Sequence, residues 1–182
     1  MRRRVPIRRG SERGFTLTEM LIATVIVIFG LVAVAQLVPT SVMMNSNNRN
    51  DGTALAFAQR EMEMLRSQPL TATSFTDPQG VTCPGTCQLG NSTNPNTFVG
   101  SNIVANSYGA PIIDFSAAPV SGYSFTYTDP NDPVGVPYDV RWTVATSING
   151  SLVTGRRIIV GVFRRGMETP TLPITLDTMV QK

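Results

Sequence analysis

The sequence predicts an α+β protein: one long N-terminal helix, greasy in its first half, followed by an antiparallel β-sheet head. Three observations carry that prediction. Residues 20–38 form an uncharged apolar run, residues 53–66 repeat apolar side chains at helical spacing, and residues 122–163 alternate apolar and polar side chains around an Asn-Gly pair.

The chain begins with a basic segment. Residues 1–14 hold six arginines and one acid, Glu12, so they carry +5 while the whole chain carries only +3. The remainder is therefore slightly acidic, by −2, and the high pI describes the leader rather than the bulk of the protein. That balance gives no reason to expect a nucleic-acid partner. The 182 residues contain no histidine, which removes the commonest general base and metal ligand.

The apolar run follows. From Met20 to Val38 only Thr24, Gly30 and Gln36 depart from strong apolarity. At about 1.5 Å per residue, a helix of this length spans most of a hydrocarbon core about 30 Å thick. The arginines before it place residue 1 on the cytoplasmic side and send everything after Val38 outward. A secretory signal peptide would need a small-x-small cleavage site near residues 36–42, and QLVPTSV offers none. Neither that reading nor an unprocessed signal anchor explains Glu19, a carboxylate at the edge of the run.

The arrangement Gly14-Phe15-Thr16-Leu17-Thr18-Glu19 resembles the cleavage and methylation motif of type IV prepilins. The resemblance implies a leader of residues 1–14 removed after Gly14, a new N-terminus at Phe15 that is then N-methylated, and Glu19 as the family's hallmark acid. It also implies a pilin fold. A lone buried charge is costly and a paired one tolerated. Glu19 of one subunit is therefore expected to meet the Phe15 ammonium of a neighbour and set the axial register. The alternative is that Glu19 only reaches toward lipid headgroups.

Beyond the span, Pro39 interrupts the helical pattern, and Gly30 is a second weak point. Similar pilins lose helicity in this region within filaments, so Gly30 to Pro39 is the candidate flexible stretch; a simple kink is the other reading. Residues 41–52 are polar and Asn-rich, either a solvent-facing helix or a break. Leu55, Ala58, Met62 and Leu65 then make one apolar stripe, with Gln59, Arg60, Glu63 and Arg66 polar, until Pro69 stops the pattern. One long bent helix is expected from about Phe15 to Ser67. The segment AQREMEMLRSQP further resembles the stalk end of PilV-type minor pilins and of type II secretion minor pseudopilins.

From Leu70 the composition turns to Thr, Ser, Asn, Gly and Pro. Residues 70–118 read as loops with short strands near Phe98–Val104 and Ile112–Phe115. Cys83 and Cys87, the only cysteines, lie in CPGTC and are expected to form a disulfide outside the cytoplasm. Two cysteines without histidine cannot make a zinc site, and C-x-x-x-C is not a redox motif.

Three strands follow, Gly122–Thr128, Tyr138–Ile148 and Leu152–Phe163. Tyr138, Val140, Trp142, Val144 and Ile148 share one face; Asp139, Arg141, Thr143 and Ser147 share the other. A two-residue loop would set Trp142 against Arg157 and Tyr138 against Gly161. A three-residue loop, Asn149-Gly150-Ser151, pairs Ile148 with Leu152, Trp142 with Ile158, Val140 with Val160 and Tyr138 with Val162. The second register, with a bulge, keeps one mostly apolar face and is the expected one, leaving Arg156 opposite Val144 as its exception. That face should pack on the helix stripe. The tail, residues 166–182, is expected to add an edge strand, wrap the head or stay loose. The resulting division is leader 1–14, helix 15–68 (span 15–38, stalk 39–68), head 69–165 and tail 166–182.

These readings point to a structural rather than an enzymatic function: a minor pilin of a type IV pilus or related filament. A pseudopilin of a type II secretion or DNA-uptake system is the alternative. Implied partners are a prepilin peptidase/methyltransferase, other pilins, an inner-membrane assembly platform and the bilayer, with no cofactor and no metal. The expected location is the inner membrane as a single-pass protein with its head outside the cytoplasm, and then a filament. A DNA receptor would show a basic stripe, and Arg156, Arg157, Arg164 and Arg165 are the residues that could form one. A membrane-anchored enzyme is the third reading. Asp114, Asp129, Asp132 and Asp139 are its candidate carboxylates, but Asp129-Pro130-Asn131-Asp132-Pro133 reads better as consecutive turns, with calcium binding there left open.

Overall fold

A computed structural model describes residues 14–77, 83, 85–90, 93–128, 135–166 and 172–181. It divides into two compact units, residues 1–47 and 48–182. A single helix, α1 (Leu17–Ser67), runs through both.

In the first unit α1 carries an unbroken series of exposed apolar side chains, from Leu17 through Met44. Gly30 and Pro39 both lie inside the helix, and so do the Asn-rich residues 41–50. The helix thus runs on through Pro39 without a break. Pro39 removes one N–H from the backbone ladder. Next to it, the Thr40 hydroxyl donates to the Leu37 carbonyl at 2.9 Å and the Ser41 hydroxyl to the same carbonyl at 2.7 Å. Both hydroxyls fold back onto the helix beside the defect and add no free donor to its surface.

In the second unit the end of α1 packs on a five-stranded antiparallel sheet. Its strands are β3 (Phe98–Gly100), β6 (Ser124–Thr128), β7 (Pro137–Asn149), β8 (Leu152–Arg164) and β9 (Ile174–Gln181), in the order β3-β7-β8-β9, with β6 also on β7. Two small hairpins complete it: β1 (Ser74–Thr76) with β2 (Thr86–Gln88), and β4 (Ile103–Ala105) with β5 (Pro111–Ile113). The architecture is α+β and pilin-like. The tail forms an edge strand: β9 pairs with β8 from Gly155↔Gln181 to Val162↔Ile174.

The β7–β8 register corrects the expected one. The turn is two residues, Gly150-Ser151, with Asn149 opposite Leu152. A bulge between Ser147 and Ile148 then shifts the ladder, so Trp142 faces Val160, Val140 faces Val162 and Tyr138 faces Arg164. Each partner lies two residues further along β8 than expected. A two-residue displacement preserves the face, so the apolar side survives intact. Arg156 faces Thr146 rather than Val144.

Strands β3 and β6 share one edge of β7, and Trp142 marks the junction. Its N–H donates to the Tyr123 carbonyl and its carbonyl accepts from the Ser101 N–H, both at 3.0 Å. Gly100 is required there: at φ +127° a Cβ would lie 2.6 Å from the Tyr123 ring and 2.8 Å from the Trp142 carbonyl.

The core joins Ala54, Ala58, Met62 and Leu65 of α1 to Tyr138, Val140, Trp142, Val144, Ile158, Val160 and Val162. The helix stripe is rotated slightly from the expected one. Ala54 is buried where Leu55 was expected, and Leu55 is exposed. The small alanines let helix and sheet approach, and the rotation brings Glu61 into the interface. The disulfide hairpin joins this core too: Cys87 and Leu89 are fully buried, and the Trp142 indole N–H donates to the Gln88 carbonyl at 2.9 Å.

The opposite face of the sheet is also covered. Ile113 and Phe115 lie so close to Gly161 that a Cβ there would be 2.7 Å from the Ile113 Cβ. Arg141 is buried on this side, donating to Asp139 at 2.8 Å and to the Ala117 carbonyl at 2.7 Å, with Phe115 stacked 5.1 Å from its guanidinium.

Candidate functional site

The residues singled out by the N-terminal pattern occupy the start of α1. Gly14, Phe15 and Thr16 precede the helix in exposed, irregular chain. Phe15 is 83% exposed. A peptide bond between Gly14 and Phe15 is thus open to a peptidase, because no helical hydrogen bond has to break first.

Thr16 and Glu19 form a reciprocal cap. The Thr16 N–H donates to the Glu19 carboxylate at 2.9 Å, and so does the Thr16 hydroxyl, also at 2.9 Å. In return the Glu19 N–H donates to the Thr16 Oγ1 at 3.3 Å. This is a capping box, T-x-x-E at the head of an apolar run. It satisfies donors that a helix start leaves orphaned and places a negative charge at the positive end of the dipole. The signal is present in the sequence as the spacing Thr16-Leu17-Thr18-Glu19, on which neither the subunit-pairing nor the headgroup reading of Glu19 draws. The cap also leaves the carboxylate exposed, at the edge of the apolar helix rather than within it.

Past the cap, the Thr24 hydroxyl is turned back onto the Met20 carbonyl at 2.8 Å, so the one polar group early in the run presents no free donor. Among the described residues, α1 is the one helix long and apolar enough to cross a membrane.

The other candidates fall elsewhere. Cys83 and Cys87 are joined in a disulfide with their Cα atoms 6.0 Å apart. Asp139 is buried and receives Arg141 at 2.8 Å and Arg165 at 2.6 Å, which makes it the anchor of an ion-paired cluster. Asp114 accepts hydrogen bonds from Ser116, whose hydroxyl and N–H hold its carboxyl below the usual range. Asp129 and Asp132 lie outside the described residues. The late arginines do not form a common stripe: Arg156 is buried, Arg157 pairs with Asp177 at 2.6 Å, and Arg165 pairs with Asp139. No cluster of three or more potential metal-binding side chains occurs among the described residues.

Sequence reasoning passed over Glu61. It is 2% exposed, and neither carboxylate oxygen has a hydrogen-bond partner. Burial pushes its carboxyl up to about 8, against a small opposing effect of Arg60 and with a further rise from Asp77. The signal was its place at helical spacing between Ala58 and Leu65.

Comparison with known proteins returns one finding. A family model described as the prokaryotic N-terminal methylation motif matches residues 9–35. Neither the curated proteins nor the solved structures yield a match. The matched segment contains Gly14, Phe15, Glu19 and most of the apolar run. The motif supports a pilin-like or pseudopilin precursor processed by prepilin peptidase. Together with the exposed apolar helix and the α+β head, the matched motif supports reading the chain as type IV pilin-like.

Proposed function

We propose that the protein is a minor pilin, cut after Gly14, N-methylated at Phe15 and assembled into a type IV pilus or related filament. The observation that carries this reading is the exposed apolar series of α1 from Leu17 to Met44, headed by Glu19, whose part up to residue 35 falls within the methylation-motif match. So much apolar surface is unstable in water. Before assembly, lipid covers it, with the head outside the cytoplasm and the leader inside. During assembly the same surface exchanges lipid for neighbouring helices. That exchange gains little from hydrophobicity, since both environments are apolar; close packing and polar contacts must drive it.

Glu19 supplies the specific contact. Cleavage creates an ammonium on Phe15, and Glu19 of an adjoining subunit neutralises it, which fixes the axial register. Gly30 and Pro39 provide the stretch where α1 yields when packed. Assembly proceeds through the membrane platform that serves such filaments.

The test separates charge from capping. Glutamine also serves at the third position of a capping box, so Glu19→Gln keeps the helix start while removing the charge. The expected result is normal leader removal with filament incorporation reduced at least tenfold, measured by immunoblotting of the sheared filament fraction against the membrane fraction. Incorporation of Glu19→Gln at the wild-type level would overturn the register role.

A further inference from the structure

A cavity of about 200 Å³ lies where the chain leaves α1 and crosses the end of the β7–β8 hairpin. Thr71, Thr73, Thr146, Val153 and Arg156 are among the residues that line it. Arg156 comes from the core-facing side of β8, on the same face as Ile158, Val160 and Val162, and is 2% exposed. Its Nη2 donates to the Leu70 carbonyl at 2.7 Å and to the Ala72 carbonyl at 2.6 Å. These bonds tie the segment after the helix to the sheet.

They leave the rest of the guanidinium unmatched. Nε is buried with no partner, and no bond to Nη1 is formed among the described residues. The contrast with other arginines is direct. Arg141, Arg157 and Arg165 each meet a carboxylate within 2.8 Å, whereas Arg156 meets only neutral carbonyls. A guanidinium stays charged at any pH the protein experiences. Burying one without a counter-charge costs several kcal/mol. Two carbonyls on one nitrogen offset part of that cost, and the cavity beside it offers room for the rest.

We propose that this cavity is a binding site for a small oxyanion of carboxylate or phosphate type. With Nη2 committed to two carbonyls and Nε sealed in the packing, the Nη1 end of the Arg156 guanidinium supplies the charge-assisted hydrogen bonds to a carboxylate or phosphate oxygen. Thr146, buried and directly opposite Arg156, lines the cavity with it, as do the exposed Thr71 and Thr73. A cavity of about 200 Å³ is ample for one such anion with some of its water. The assignment is independent of how the N-terminus is processed.

The experiment is thermal unfolding of the detergent-solubilised full chain at constant ionic strength, in chloride, acetate or inorganic phosphate. Wild type is compared with Arg156→Gln and Thr146→Val. An anion at about ten times its dissociation constant should raise Tm by roughly 3–6 °C in the wild type. Thr146→Val should need several-fold more anion for the same rise, and Arg156→Gln should lose it. A response to acetate alone assigns a carboxylate site, and a response to phosphate alone a phosphate site. If neither anion raises Tm above chloride, or if all three proteins respond equally, the proposal fails. Should Arg156→Gln not fold, Thr146→Val alone decides the outcome by the same comparison.

Discussion

At the scale of single residues, two carboxylates on α1 show how position decides a side chain's work. Glu19 sits at the exposed head of the helix, where it caps the first turn through Thr16. Glu61 sits in the packed interface with neither oxygen paired, and burial holds its proton on. Its contribution to stability has a definite sign. Below pH 4.5 folded and unfolded chains both bind the proton. Between 4.5 and about 8 the unfolded chain ionises while the folded one does not, so stability falls as pH rises. Above about 8 the penalty is complete, on the order of 3–5 kcal/mol. Glu61→Gln should therefore unfold later than wild type at pH 8.5 and match it near pH 4.5. Parallel melting curves at the two pH values check this; equal Tm values at pH 8.5 would refute it.

At the scale of elements, the sheet is buried on both faces, and the second face explains why small changes there should matter. Gly161 lies under Ile113 and Phe115, with no room for a methyl group. Gly161→Ala should lower stability by about 1–3 kcal/mol through overpacking, read as a shift in the denaturant midpoint at unchanged slope. The disulfide hairpin makes a comparable contribution for a different reason. Cys83–Cys87 closes a very short loop, whose chain-entropy contribution is about 2 kcal/mol. Reduction should lower the unfolding free energy by that amount and disturb the near-UV signal of Trp142, which is bonded to the same hairpin through Gln88.

The elements also show what was legible in the sequence. The helix, the strands after residue 122 and the apolar sheet face could be read because each rests on a local period that the fold preserves. The β7–β8 register could be read only to its parity. Apolar patterning selects the face, but the position of the bulge at Ser147/Ile148 leaves no mark on the pattern. The strands expected near Phe98–Val104 and Ile112–Phe115 overlap β3, β4 and β5, whereas the β1–β2 hairpin is held by pairing between three-residue strands too short to show a period. Arg156 stood out as the exception on an apolar face, yet only the three-dimensional path of residues 70–73 places carbonyls and a cavity beside it.

At the scale of the whole molecule, the N-terminal motif and the head were readable to different degrees. The motif depends on a handful of consecutive residues, so Gly14, Phe15 and Glu19 could be located without a structure, and the match over residues 9–35 covers them. The capping role of Glu19 needed only the same local spacing, whereas the burial of Glu61 and the links from Arg141 to Ala117 and from Arg165 to Asp139 join residues distant in sequence. The central claim is that this chain matures by leader removal and then works as a filament subunit through its retained apolar helix. Intact-mass and N-terminal peptide mass spectrometry of the protein from its native membrane tests that most directly. The account predicts a chain beginning at an N-methylated Phe15, with the apolar helix still attached. A chain that retains Met1, or one that begins beyond Val38, would contradict it.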